Sequence, residues 1–374
     1  MQRLIEITVL VHILFFSGYG RASESKAGVD VNDVAVLFPL DSNQRLFPDV
    51  TLAGGAEFTA LLSATQLSEL LVSADRLGVK SPAGTSTFNQ LKDWSVVAFR
   101  YDPCAPADHS LPETQDCLQE LRLVAQPYSS VGLSDSAMHL IYQMAAGKPS
   151  IDDPVMADLV DLKLKAEEIT AMTSSGKALG VHPLLSAALA QDRPEVGKLF
   201  AAFLSKYAKP ERLTKLTMMG LKEGSQTHWI FFGGDIIDGH WKSSDIPNLS
   251  NNPEQFVELN LNGTEIFHPV PDTIPSSTFG FFHRELLAPG EFQIIKNVVH
   301  DLENPAIFNR NNSDCLSCHS ATSLRVNPNT RSPLYIEGKT ATAPKGITAY
   351  PMPGILQRHH LHWNMRALGY FGLT

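Results

Sequence analysis

The 374-residue chain holds only four cysteines, and it has no second CxxC pair, no long basic run and no apolar run of ordinary membrane-spanning length. Each absence excludes something. A structural zinc site built from four Cys or His ligands lacks half of its usual thiols. With 30 Lys and Arg against 39 Asp and Glu, a net charge of −9 and no basic cluster, the chain lacks the footprint that binds phosphate backbones, so nucleic acid is not an expected partner. Also missing are HExxH, a P-loop, a dinucleotide fingerprint and a nucleophile elbow, which lowers the expectation of hydrolase or nucleotide chemistry. There is no internal repeat and no extended low-complexity stretch.

What is present begins with a leader. Arg3 precedes the apolar run Ile7 to Phe16, and Gly20 and Ala22 stand at the −3 and −1 positions of a cleavage site before Ser23. Residues 1–22 therefore read as a secretory signal peptide. The run falls short of the roughly 20 apolar residues of a spanning helix, so no transmembrane helix is expected in the mature chain. The compartment implied is the periplasm, or another exported location in a bacterium, where disulfides persist. Cys104 and Cys117 flank a proline-rich loop between two strand-like segments, Trp94 to Tyr101 and Leu118 to Gln126, and are expected to form a disulfide.

The mature chain, with 43% hydrophobic residues, is long enough for more than one domain. Strands are expected at 33–40, 94–99, 121–124, 213–219, 228–232 and 256–261, and a Gly-Gly turn at Gly54-Gly55. Helical spacing marks 65–77, closing at Gly78, and helices are also expected over 135–146, 152–173 and 184–207. Residues 242–277, rich in Ser, Asn and Pro, read largely as loops. Residues 23–285 are thus a mixed α+β domain, with no motif that assigns it a role. Asp235, Asp238 and His240 would supply metal donors, but Asp and Gly after a strand are ordinary turn formers. His182, in a Val-His-Pro run before a helix, suits a capping role.

The chemically demanding stretch is Cys315-Leu316-Ser317-Cys318-His319. Two thiols at this spacing can each add to a haem vinyl group, and the next histidine then falls under the iron as proximal ligand. A thioredoxin-like pair would follow a strand and open a helix, yet Asn311-Asn312-Ser313-Asp314 precedes Cys315.

On these residues the C-terminal part resembles the class I c-type cytochromes. Ser332-Pro333-Leu334 follows the CxxCH, Tyr350-Pro351-Met352-Pro353 comes next, and a helix is expected from Ile355 to Tyr370. The resemblance implies one covalent haem c, with the Pro333 carbonyl bonding the proximal imidazole and Met352, or alternatively Met365, as distal ligand. His359, His360 and His362 are further possible ligands, although exposure on a helix is their commoner fate. Arg325, Arg331, Lys339, Lys345, Arg358 and Arg366 are available to haem propionates. The fold expected is an α+β domain followed by a small, mostly α-helical cytochrome c-like domain over 286–374.

The function implied is one-electron transfer with a redox partner protein in the cell envelope. Two alternatives stand beside it. One is a haem enzyme or sensor with an open distal site for peroxide or a small gas; the other is a ligand-binding or assembly module with a haem appendage. A two-haem peroxidase is excluded by the single CxxCH.

Overall fold

The computed structural model describes residues 34–41, 45–54, 58–79, 89–107, 117–129, 132–133, 136–146, 153–174, 181–225, 228–260, 263–265 and 308–318. Ten strands join in one antiparallel sheet: β1 (Ala35–Leu37), β2 (Trp94–Pro106), β3 (Cys117–Ser129), β4 (Gly132–Leu133), β5 (Ala137–Ala146), β6 (Leu213–Leu221), β7 (His228–Ile237), β8 (His240–Ser243), β9 (Glu254–Asn260) and β10 (Gly263–Glu265). Eight run in the order β1-β2-β3-β5-β6-β7-β9-β10, while β4 adds to β3 and β8 to β7. Four α-helices among the described residues accompany them: α1 (Ala64–Arg76), α2 (Pro154–Thr170), α3 (Pro183–Ala190) and α4 (Pro194–Tyr207).

The helix starts follow from local chemistry. Ser63 caps α1 in a reciprocal box with Gln66, at 3.1 Å and 3.0 Å. Proline stands at the first position of α2, α3 and α4, where its missing N–H costs nothing. Pro194 also explains a difference from expectation, since the single helix anticipated over 184–207 is two. Asp192 takes a positive φ of 55° and Pro194 restarts the chain in a new direction.

A larger correction concerns 135–146, which is strand β5 and not a helix. It lies between β3 and β6 and is covered on both faces, so Ala137 through Tyr142 are all buried and the alternation that marks a half-exposed strand is absent. Strand β7 also runs further than expected, passing through Gly233-Gly234. A Cβ on Gly234 would stand 2.0 Å from the Lys242 carbonyl oxygen, so glycine is what lets β8 fold back and seat Trp241 there.

Register divides the sheet into two chemically different faces. On one, Phe99 stacks on Phe203 at 5.5 Å and meets Phe200 at 6.4 Å, both from α4. On that same face the Tyr101 hydroxyl bonds Asp153, which caps α2, and the Tyr142 hydroxyl donates to the Leu61 carbonyl at 2.8 Å. Helix α1 closes its far end, where Glu69 accepts from the Trp241 amide at 2.7 Å. The opposite face presents Arg100, Asp102, Glu120 and Arg122 from β2 and β3, paired as Arg100 with Arg122 and Asp102 with Glu120, and Gln255 from β9.

That second face is covered by residues 308–318. The expected second unit, a mostly α-helical cytochrome c-like domain, is therefore corrected: what the structure describes is one large antiparallel sheet with helices on one face. No helical cytochrome domain is among the described residues. The only described part of 286–374 is 308–318, a buried turn ending in one helical turn at Cys315–Cys318. The leader over residues 1–22 lies outside the described residues, and no helix within them is long and apolar enough to cross a membrane. Phe99, fully buried between two α4 rings, anchors the helical layer. Phe99→Ala is expected to lower unfolding free energy by about 3–5 kcal/mol in urea titrations.

Candidate functional site

The candidate site grows from Asn309-Arg310-Asn311-Asn312-Ser313-Asp314. Asparagine side chains bond nearby backbone and so favour turns. Here the Asn311 amide donates to Asn309 Oδ1 at 2.7 Å, and the Asn309 amide to Asn312 Oδ1 at 2.8 Å. The turn delivers the chain to Asp314, whose Oδ1 accepts from the Ser317 amide at 3.0 Å. That is an N-cap, and Cys315–Cys318 form the helical turn it starts. Positions three apart share a helix face, so both sulfurs leave the backbone on one side.

The turn is not free in solvent. Cys315 is 3% exposed and Cys318 4%, and both thiols are free. A loop buried this way must find partners for its polar groups within the protein. Gln255, itself 0% exposed, supplies two: its Nε2 donates to Asp314 Oδ1 at 2.8 Å, and its Oε1 accepts from the Leu316 amide at 2.8 Å. Upstream, Asn248 Nδ2 donates to the Asn312 carbonyl at 3.0 Å, and the Arg310 guanidinium reaches Ser244 Oγ and the Asp245 carbonyl, each at 3.4 Å. Asn311 Nδ2 donates to Glu120 Oε1 at 3.4 Å. Segment 308–318 is thereby tied to β3 at one side and β9 at the other, with β5, β6 and β7 between.

Beneath it lies a charge-balanced quartet. Arg122 contacts Glu120 Oε2 at 2.9 Å and Asp102 Oδ2 at 3.0 Å, and Arg100 Nε donates to Asp102 Oδ1 at 2.7 Å. Two arginines facing two carboxylates leave no net charge in the buried layer, the condition for tolerating ions out of water. The strands read as alternating polar and apolar residues, the pattern of a solvated face. Nothing in that pattern announces a covering segment 190 residues downstream, although Arg/Asp and Glu/Arg at i, i+2 on neighbouring strands are the trace of it. Gln255 gives no signal of its own in sequence.

Electrostatics then separates two chemistries open to a CxxC pair. A thiol at a helix N-terminus tends to ionise, because the macrodipole favours the thiolate. Burial opposes this and wins, pushing Cys315 and Cys318 each up to about 12, even with Arg310 favouring the Cys315 thiolate and Arg122 that of Cys318. A redox or zinc-binding thiol needs the opposite shift. Burial therefore favours the neutral thiol at both positions.

The other sequence candidates do not come together. Asp235 pairs with Lys215 at 2.8 Å, Asp238 and Gly239 make the tight turn between β7 and β8 with φ of 53° and 80°, and His240 Nδ1 meets Glu69 at 2.7 Å. Among the described residues no group of three or more His, Cys, Asp or Glu side chains is placed to hold a metal. His182 caps α3, accepting from the Leu185 amide at 3.4 Å, and packs edge-on against Phe200. Burial drops its pKa to about 3, so its neutral form supports the fold fully above about 6.5, and that support is lost as pH falls from about 6.5 toward about 3.

His319, Pro333, Met352 and Met365 lie outside the described residues, as do His359, His360, His362, Arg325, Arg331, Lys339, Lys345, Arg358 and Arg366. No protein-family model matches the chain, and neither a curated protein nor a solved structure is significantly similar to it.

Two carboxyls hold this site. Burial raises Asp314 above its ordinary 3.8 and Glu120 above its ordinary 4.5. Each binds its proton more tightly folded than unfolded, so its contribution is greatest below the ordinary value and is lost as pH climbs through the folded-state value. Asp314→Asn keeps the oxygen that accepts from Ser317 and Gln255 but cannot ionise. Denaturant titrations from about pH 4 to about pH 8 should show a shallower fall in stability for Asp314→Asn than for the native chain. Equal slopes would contradict the assignment.

Proposed function

We propose that the chain is an exported monohaem c-type cytochrome, carrying one haem c on Cys315 and Cys318 with His319 as proximal iron ligand, and that it transfers single electrons in the cell envelope. The observation that carries this reading is the capped turn that holds two free thiols on one helix face immediately before a histidine. The spacing of the two thiols suits the group. Two thiols i, i+3 on one turn match two vinyl positions.

Bound haem supplies a one-electron iron couple whose potential responds to axial ligand and burial. The chain's own residues do the rest. Asp314 starts the turn, Gln255 seats it on the sheet, and the buried segment withholds water from both sulfur positions. Pro333, as a carbonyl partner for the imidazole, and Met352 or Met365, as distal ligand, belong to the same proposal.

A disulfide between Cys104 and Cys117 belongs with it. Residue Pro106 pairs with Cys117 across β2 and β3, which brings the two cysteine positions to one end of the strand pair.

The test uses protein exported from a host with cytochrome c maturation machinery, run beside Cys315→Ala/Cys318→Ala. Haem staining that survives a denaturing gel, and an intact mass raised by one haem, are expected for the native chain and absent from the double variant. Non-reduced peptide mapping of the same material should join the Cys104 and Cys117 peptides. A chain that matures in this host without haem would overturn the reading.

A further inference from the structure

The clearest unexplained commitment in the molecule is a buried glutamine. Gln255 stands in β9 opposite Phe231 of β7, on the face whose other polar residues are mostly charged. A side-chain amide with no exposure has to place both its donor and its acceptor, or the fold carries an orphaned polar group. It places both on the same short stretch. The donor goes to the Asp314 carboxylate and the acceptor to the Leu316 amide, one residue either side of Cys315. The same Asp314 oxygen holds the Ser317 amide, so the three contacts close a ring around the first cysteine of the pair.

We propose that Gln255 is the positioning residue of the CxxC turn: through paired hydrogen bonds to Asp314 and Leu316 it sets the orientation and depth of the two sulfurs relative to the sheet. The inference rests on the free-thiol geometry and holds with or without haem. Under the function proposed above, it makes Gln255 the residue that aims the attachment sulfurs.

The amide form is required because each end has a distinct task. A carboxylate at this position would still accept from Leu316 but would lose the donor and face Asp314 as a like charge. A protonated carboxyl would regain the donor. The charged and titratable groups around the position are Asp314 and Arg310 on the docked segment, Glu120 and Arg122 on β3, His139 on β5, and the Lys215–Asp235 pair of β6 and β7. Asp314 is hydrogen-bonded to Gln255 directly, so it dominates any pH response of a variant there.

The experiment uses the full chain made without haem maturation, so Cys315 and Cys318 are thiols in every variant. Their alkylation by a maleimide is followed by peptide mass and expressed as a ratio to the native chain at each pH, which removes the thiol's own titration. Near-UV circular dichroism reports the fold. For Gln255→Leu the ratio should be roughly tenfold or more at every pH, the scale of two lost buried hydrogen bonds. For Gln255→Glu it should lie near one in acid and climb as the new carboxyl ionises.

Folded Gln255→Leu protein with a ratio of one would overturn the proposal, as would a Gln255→Glu ratio that does not change with pH. If Gln255→Leu fails to fold, the Gln255→Glu series decides alone, since its acid form retains both hydrogen bonds. Haem staining is untouched by either result, so failure here and failure of the cytochrome reading are separable.

Discussion

The pair of hydrogen bonds from Gln255 to Asp314 and Leu316 ties a ten-stranded sheet to the short turn that holds Cys315 and Cys318. Much depends on it. Buried polar groups are tolerated only when satisfied, and the whole of 309–318 is a polar, asparagine-rich segment pressed against a sheet. Without those bonds the Asp314 carboxylate and the Leu316 amide would be buried with fewer partners, and the segment would gain by returning to water. With them, both thiols stay buried against the sheet.

The sheet makes this possible by having two unlike sides. Its aromatic side, with Phe99, Tyr101 and Tyr142, takes the helices and supplies the hydrophobic driving force. Its other side carries Arg100, Asp102, Glu120 and Arg122 in mutual contact. An ionic layer of that kind contributes little net stability but strongly disfavours mispairing, because removing or shifting one member leaves a buried charge uncompensated. It is a surface suited to specifying where a polar segment lands.

Some of this was legible in sequence, for identifiable reasons. Helix α1 was marked by its leucine spacing and β2 by Trp94-Ser95-Val96-Val97-Ala98-Phe99. The CxxC and its upstream loop were visible because short-range chemistry writes them. Strand β5 was not, since cover on both faces erases the period that distinguishes strand from helix. The helical second unit was expected from a family resemblance, and the sheet into which 308–318 docks was not part of that resemblance. Gln255 and Glu120 lie 61 and 191 residues from their partners in the segment, and no local pattern records contacts of that separation.

The central claim is that residues 308–318 are an integral part of the sheet's polar face. Native-state hydrogen exchange tests it most directly, because the Leu316 and Ser317 amides are bonded to Gln255 and Asp314. The account predicts that the peptide spanning 308–318 exchanges as slowly as peptides from β3 and β5, and that both report the same opening. Exchange of that peptide at the rate of an exposed loop, while β3 and β5 stay protected, would contradict it.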